Sequence, residues 1–305
     1  MRRVVLLLVA SVALGACGAS PTGTDPARSG SDGMVVVATT TVLADLVRNV
    51  AGDAVAVSSL VPKGGEVHTF DPAPSDLRRV AAATLIVGNG LGLDEWLTDL
   101  ATRAGAAAPV VHLGEDLAGV TYFAGDAGDD ERAVNPHLWL DVAIAQRYVA
   151  RIAEALAAAD PAAAAGYAQR AAAYSARLAA LDASIRTRFA AVPAAQRRIV
   201  SFHDAFPYFA AMYGLEIVGV VVAAPGQDPS AGEVAALIEA IRASGARAIL
   251  AEVQFNDRLA RQIASETGAA VVADLYTDSL GDAPLDSYEA ILTWDADRIL
   301  EALGG

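Results

Sequence analysis

Short runs of consecutive apolar residues alternate with segments of helical periodicity along the first part of the chain. The apolar runs predict strands over 35–38, 55–61, 84–87 and 109–113. Continuous hydrophobicity of this kind is typical of strands that are buried on both faces. Apolar positions recur at helical spacing from Thr41 to Val50, and Ser75 is a predicted N-cap for a second helix that extends to Val80. Strands that alternate with helices favour a parallel α/β sheet.

The middle of the chain has helical periodicity only. One helix is predicted over 142–159, and Asp160 followed by Pro161 predicts an N-cap with proline at the first position of the next helix. That second helix extends to 191 and is ended by Pro193. Its apolar stripe consists of Tyr167, Tyr174, Leu178, Leu181, Ile185 and Phe189. We interpret the stripe as packing rather than a cofactor site, and a helix of this length indicates a connection between two domains.

The second half of the chain returns to the alternating pattern. Strands are predicted over 198–202, 217–222, 248–253 and 270–276, and helices over 206–213, 232–243, 258–267 and 286–303. The predicted fold class is therefore α/β, with two lobes joined by one long rigid helix. Each lobe has a small, mostly parallel sheet flanked by helices. We place the N-terminal lobe at 34–160, the linking helix at 161–192 and the C-terminal lobe at 193–305.

The N-terminus predicts export and lipid anchoring. Two arginines precede an apolar run from Val4 to Leu14, which is too short to cross a membrane and is typical of a signal peptide. The run ends in Leu-Gly-Ala-Cys, which resembles the bacterial lipobox and makes Cys17 the predicted lipidation site at the end of a signal peptide over 1–17. Residues 18–33 are rich in Gly, Ser, Pro and Thr, which predicts a flexible tether. Because Cys17 is the only cysteine, the sequence excludes an intrachain disulfide and a cysteine-based zinc site.

Composition narrows the classes of function. The chain has 305 residues, of which 54% are hydrophobic and 19% charged, so it can form a large core. Its formal net charge of −14 argues against a nucleic-acid partner, because phosphate contacts need clustered Lys and Arg. An acidic surface mildly attracts cations. It does not by itself indicate a metal site, since most acidic proteins bind no metal specifically.

The chain has only four histidines, and their positions relative to the predicted strands indicate a candidate binding site. His68 lies in a Gly-rich loop after a predicted strand, and His203 directly follows another. Asp278 comes just after a third strand, and His137 lies in the segment NPHLWLD, an ordered loop that enters a helix. Ligands of parallel α/β sheets bind outside the carboxyl ends of the strands, so these four side chains can converge between the lobes. His112 ends an ordinary strand, and we interpret it as structural.

Three imidazoles and one carboxylate make a complete tetrahedral set for Zn²⁺, with Zn–N distances of about 2.0–2.1 Å. A full protein shell indicates binding or transport, because a catalytic zinc usually keeps one position for water. Each residue has an ordinary alternative, since single histidines often cap helices or lie at the surface, and Asp278 suits a turn. Asp204, Glu252 and Asp274 also lie near strand ends, and Asp274 is the weaker candidate because it falls inside its predicted strand.

Several motifs together resemble the zinc- and manganese-binding solute-binding lipoproteins of ABC transporters. They are VHTFDPAPSDL around His68, NPHLWLDV around His137, SFHDAFPYFAAMYGL around His203, YTDSLGD around Asp278, and the loop APGQDPSAGEV. The resemblance runs from about Val35 to the C-terminus. It implies metal bound in a cleft by His68 and His137 from the N-terminal lobe and by His203 and Asp278 from the C-terminal lobe. It also implies an extracytoplasmic receptor that delivers metal to an ABC permease.

Two departures from the family pattern bear on which metal is bound. Some zinc-uptake members have a long His-rich loop, whereas the matching segment 115–135 is short, acidic and free of histidine. Manganese-binding members commonly have Glu at the position of His203. From these features we predict a monomeric, lipid-anchored Zn²⁺ receptor without catalytic residues. Mn²⁺ or mixed specificity is the nearest alternative, and a secreted zinc metallohydrolase or a surface adhesin is an alternative of another class.

Overall fold

Two four-stranded parallel sheets form the framework of this computed structural model, which describes residues 33–125, 133–222 and 225–304. The first sheet has the strand order β2-β1-β3-β4, with β1 Val35–Ala38, β2 Ala56–Ser59, β3 Leu85–Gly88 and β4 Val110–His112. Its helices are α1 Thr41–Ala51, α2 Pro74–Ala81 and α3 Trp96–Ala104. The central strands β1 and β3 are almost entirely buried, as their continuous hydrophobicity predicts.

The second sheet repeats this arrangement with the order β6-β5-β7-β8. Its strands are β5 Arg198–His203, β6 Glu216–Val222, β7 Ala248–Glu252 and β8 Ala270–Leu275, and its helices are α6 Pro207–Tyr213, α7 Ala231–Ser244, α8 Arg258–Thr267 and α9 Tyr288–Leu303. The predicted fold class of two α/β lobes is confirmed. Across the described ranges, no helix is long and apolar enough to cross a membrane.

Helices α4 Val142–Ala159 and α5 Ala164–Ala191 connect the two sheets. On α5, five residues of the predicted stripe are buried, whereas Leu181 is only partly buried. These residues belong to a hydrophobic cluster that extends from β1 in the first lobe to α9 in the second. The lobes therefore share one core along α5, and burial of apolar surface opposes their separation.

The helix starts differ from the prediction at two places. Helix α2 begins at Pro74 rather than after a Ser75 cap, because the Asp76 carboxylate accepts a hydrogen bond from the Ala73 backbone N–H at 2.9 Å. At the start of the linking segment, Pro161–Ala163 form a 3₁₀ turn before α5, and the Asp160 side chain makes no capping bond. It accepts a hydrogen bond from the Tyr167 hydroxyl instead, at 3.3 Å.

The signal peptide, Cys17 and most of the tether lie outside the described residues, as does the acidic part of the 115–135 segment over 126–132. The domain boundaries at 160 and 192 stay predictions.

Candidate metal centre

The four predicted side chains converge at one place. One nitrogen or carboxylate oxygen from each of His68, His137, His203 and Asp278 lies within 4.8 Å of all the others. Asp278 and the imidazoles of His137 and His203 are buried, and the His68 side chain is 18% exposed. Solvent therefore reaches the centre on the His68 side.

The donor atoms form a compact group around His137. Its Nε2 lies 3.3 Å from Nε2 of His68, 3.3 Å from Nε2 of His203 and 3.6 Å from Oδ1 of Asp278. The Nε2 of His68 is 3.8 Å from Oδ2 of Asp278. Two donors bound to zinc at tetrahedral corners are about 3.3–3.4 Å apart, as follows from Zn–N bonds of about 2.0–2.1 Å. The spacing of the donors thus fits a small divalent cation at their centre.

Both histidines of the first lobe are fixed by a polar residue two positions earlier. The backbone N–H of His68 donates to Oε1 of Glu66 at 2.9 Å, and that of His137 donates to Oδ1 of Asn135 at 3.1 Å. The same Asn135 oxygen lies 3.1 Å from Nδ1 of His137, which leaves Nε2 directed at the other donors. The amide group of Asn135 in turn donates to the backbone oxygen of Asp204.

His203 ends β5 and has a carboxylate behind it. Its Nδ1 is 2.7 Å from Oε1 of Glu252, the last residue of the neighbouring strand β7, and both side chains are buried. The contact is short enough for the Nδ1–H to be directed at the carboxylate. Glu252, which the sequence indicated only as one of three acidic residues near strand ends, therefore lies directly behind a candidate ligand.

The loop that contains Asp278 follows β8 and is held by side-chain and backbone groups of the first lobe. Thr41 Oγ1 accepts a hydrogen bond from the backbone N–H of Leu280 at 2.8 Å, and Ser279 Oγ accepts one from the N–H of Gly64 at 2.7 Å. The indole N–H of Trp139 donates to the carbonyl oxygen of Thr277 at 2.8 Å. Asp278 therefore belongs to the second lobe in sequence, where Gln254 donates to its carboxylate at 3.4 Å, but its loop is also tied to the first lobe.

Burial and neighbouring charges shift the pKa values of the titrating groups. Burial lowers the pKa of His68 to about 3 and that of His137 well below its usual range, and nearby imidazoles add to both shifts. Burial also disfavours charged His203, but the carboxylates of Glu252, Asp278 and Glu66 outweigh it and raise its pKa to about 9. Burial raises the pKa of Asp278 to about 7. Before a cation binds, the centre therefore has two neutral imidazoles and one protonated imidazole at neutral pH.

His112 and Asp274 lie away from the four-residue group. His112 Nδ1 is 3.9 Å from Glu115 Oε1, and this pair is not part of the four-residue group. Asp274 faces the Arg298 guanidinium at 3.1 Å. The sequence indicated His112 as structural and Asp274 as a weaker ligand candidate, and both lie outside the four-residue group. Glu66 and Asn135 were not predicted, although each stands two residues before a candidate histidine, and that common spacing is the pattern that could have identified them.

Comparison with known proteins agrees with this architecture. The family described as zinc-uptake complex component A, periplasmic, matches residues 36–302. The manganese-binding lipoprotein MntA of Halalkalibacterium halodurans is 30% identical over 277 residues, which cover 91% of this chain and 89% of MntA. The iron-binding protein YfeA of Yersinia pestis is 32% identical over 271 residues, which cover 88% of this chain and 86% of YfeA.

A solved structure, the periplasmic zinc-binding protein TroA from Treponema pallidum, is similar with a TM-score of 0.80 and 26% identity. The similarity covers 88% of this chain and 99% of TroA. The family match spans most of the chain, and the relatives align over almost their whole length. The chain therefore belongs to the zinc-uptake complex component A family, as a metal-binding receptor and not an enzyme, the substrate-binding component that works with the permease of an ABC transporter.

Proposed function

We propose that this protein is an extracytoplasmic Zn²⁺ receptor whose cargo is bound by His68, His137, His203 and Asp278 and delivered to an ABC permease. One observation carries the proposal, namely the convergence of three imidazoles and one carboxylate within 4.8 Å in a largely buried centre. Lipidation of Cys17 would anchor the receptor to the cell membrane, and we propose that it acts as a monomer. The proposed lobes are 34–160 and 193–305, linked by 161–192.

The choice of zinc rests on the donor set. Imidazole nitrogen suits Zn²⁺, whereas Mn²⁺ prefers sites rich in carboxylate and carbonyl oxygens, and zinc binds more tightly than manganese in the general order of divalent metals. Two separations between imidazole nitrogens of 3.3 Å also match a tetrahedral zinc shell.

Manganese or iron is the second candidate for the cargo. The relatives MntA and YfeA are named for manganese and iron, and they align with nearly the whole chain. Asp278 also has two oxygens near the other donors, at 3.6 and 3.8 Å from His137 and His68, and binding through both would raise the coordination number. A hydrolase needs an open metal position, and a fourth protein donor leaves none in a tetrahedral shell. Among the described contacts none favours an adhesin.

Competition between Zn²⁺ and Mn²⁺ on metal-free protein tests the proposal. We expect zinc to displace manganese at equal free-ion concentrations, and a His203→Glu variant to narrow the difference because it replaces nitrogen with oxygen. A wild-type protein that prefers manganese would refute the choice of zinc but leave the receptor assignment intact.

Substitution tests the ligand set separately. Alanine at His68, His137, His203 or Asp278 removes an inner-shell donor, so each variant should lose more affinity than the roughly 10–100-fold typical of outer-shell changes. His112→Ala is the matched control, since this histidine lies outside the group and should leave affinity unchanged. A metal-bound structure with another donor in place of one of the four would contradict the assignment.

A further inference from the structure

The register of the second sheet places Glu252 beside His203. Strands β5 and β7 are parallel neighbours with Ser201 opposite Leu250, so His203 and Glu252, two residues further along each strand, lie side by side at the carboxyl edge. Adjacent strands are about 4.7–4.9 Å apart, which lets the two side chains meet. Each residue is only 1% exposed, and the contact between Nδ1 and Oε1 is 2.7 Å. The fold itself thus builds the pair.

Glu252 differs from the other buried carboxylates in having no close polar contact other than His203. Asp45 accepts a hydrogen bond from the backbone N–H of Tyr288, and Asp94 accepts one from that of Asn89. Apart from the contact with His203, neither oxygen of Glu252 has a hydrogen-bond partner within the described parts of the chain. A buried carboxylate with so few partners costs stability, so packing does not account for this residue. Its close polar contact is a nitrogen of a proposed metal ligand.

We propose that Glu252 is the positioning residue of His203, holding Nδ1 so that Nε2 faces the metal and placing a negative charge behind the ring. This inference rests on the proposed metal site. An imidazole that directs its Nδ1–H at a carboxylate keeps the lone pair on Nε2 and becomes a stronger donor. The second ligand with a buried ring, His137, has the neutral oxygen of Asn135 at the same place, 3.1 Å from Nδ1. The two imidazoles therefore differ in donor strength.

The negative charge matters because the cation is buried. Three neutral imidazoles and Asp278 supply one negative charge to a divalent ion, which leaves one positive charge to balance. The carboxylate of Glu252, in contact with His203, supplies a second negative charge. His203 and Glu252 together thus combine a nitrogen donor with the charge of an acidic ligand, a combination that an imidazole beside a neutral partner lacks.

Two substitutions separate orientation from charge. Glu252→Gln keeps an oxygen that accepts the Nδ1–H but removes the charge, whereas Glu252→Ala removes both. We expect Zn²⁺ affinity to fall about tenfold in Glu252→Gln and about 100-fold in Glu252→Ala, within the range for outer-shell partners. Glu115→Gln is the matched control, because it removes a carboxylate beside His112, outside the centre. It should bind zinc like the wild type.

Two further readouts distinguish positioning from a purely structural role. The absorption spectrum of bound Co²⁺ should be unchanged in Glu252→Gln and altered in Glu252→Ala, because only the latter frees the His203 ring. Metal-free Glu252→Gln should remain folded at the temperature of the titration, because the amide keeps the size of the side chain and an oxygen toward His203, and circular dichroism checks this.

Affinities within twofold of the wild type in both Glu252 variants would overturn the inference. So would a loss of affinity that parallels a loss of folded metal-free protein. A wild-type protein that binds no metal in the same titration would instead overturn the proposed function, which keeps the two failures distinguishable.

Discussion

Removing the Thr41 hydroxyl should weaken metal binding although Thr41 is not a proposed ligand. Thr41 Oγ1 accepts the hydrogen bond of the Leu280 N–H at 2.8 Å and lies 3.3 Å from Ser279 Oγ, both in the loop that contains Asp278. Thr41→Val keeps the shape of the side chain but leaves the buried Leu280 N–H without its acceptor. Such an unsatisfied group costs about 1–3 kcal/mol.

The cost divides between folding and binding. Metal-free protein can relieve the unpaired N–H by letting the loop leave Thr41, whereas metal-bound protein needs Asp278 in place. If about 1–2 kcal/mol falls on the bound form, Zn²⁺ affinity drops roughly 5–30-fold. The part that remains in metal-free protein should appear as a lower free energy of unfolding.

Two measurements on the same preparations test this. Denaturant unfolding of metal-free protein gives the change in stability, and titration against a chromophoric chelator gives the zinc affinity. Thr102→Val is the control, because the Thr102 hydroxyl donates only to the carbonyl oxygen of Thr98 on the exposed face of α3. If Thr41→Val matches Thr102→Val in both measurements, the loop is not held by this contact and the reasoning fails.

Further predictions concern pH and the anchor. Zinc affinity should rise between about pH 6 and 9, because binding must displace protons from Asp278, whose pKa is raised to about 7, and from His203, whose pKa is raised to about 9. His68 and His137 should contribute little to this rise, since their pKa values are lowered. Calorimetry in buffers of different ionisation enthalpy measures the number of protons released on binding. A release that approached three protons per metal at pH 7 would contradict this expectation. Metal-free protein should lose stability from pH 7 to 9, because His203 binds a proton more tightly when folded, and thermal melts across that window measure it. Cys17→Ser should give protein that is unprocessed or released from the membrane, and fractionation that finds the wild type wholly soluble would contradict the anchor.

Elements with strong local patterns were predictable from the sequence. The buried strands were found because their hydrophobic runs are continuous, and α5 was found because its apolar stripe keeps one period over many turns. Helix α3 was missed, since its two buried leucines, Leu97 and Leu100, provide little periodicity in a short segment. The prediction of Ser75 as the N-cap was wrong, because the helix already begins at Pro74. The Asp76 carboxylate, inside the first turn, accepts the hydrogen bond of the Ala73 N–H.

The convergence of the four chemical groups was also predictable, because each follows a strand or opens a helix at an edge where parallel sheets bind ligands. The contacts that fix these groups were not. Leu280 and Thr41 are 239 residues apart in sequence, and nothing local to either indicates the other. The pairing of His203 with Glu252 depends on the order of β5 and β7 in the sheet, which hydrophobic periodicity does not specify.

The contacts around the centre divide the four donors unequally. By sequence, each lobe contributes two, but the hydrogen bonds from Thr41 and Trp139 hold the Asp278 loop against the first lobe, together with His68 and His137. His203 is fixed by the second sheet, through β5 and Glu252, whereas the Asp278 carboxylate receives only a long hydrogen bond of 3.4 Å from Gln254 of that lobe. Because the lobes share one core along α5, a wide opening would expose apolar surface, whereas a small shift of the second sheet would withdraw one donor. We therefore expect metal-free and metal-bound forms to differ in the distance from His203 to the other three, which stay together, and an equal separation of two donors from two would contradict this division.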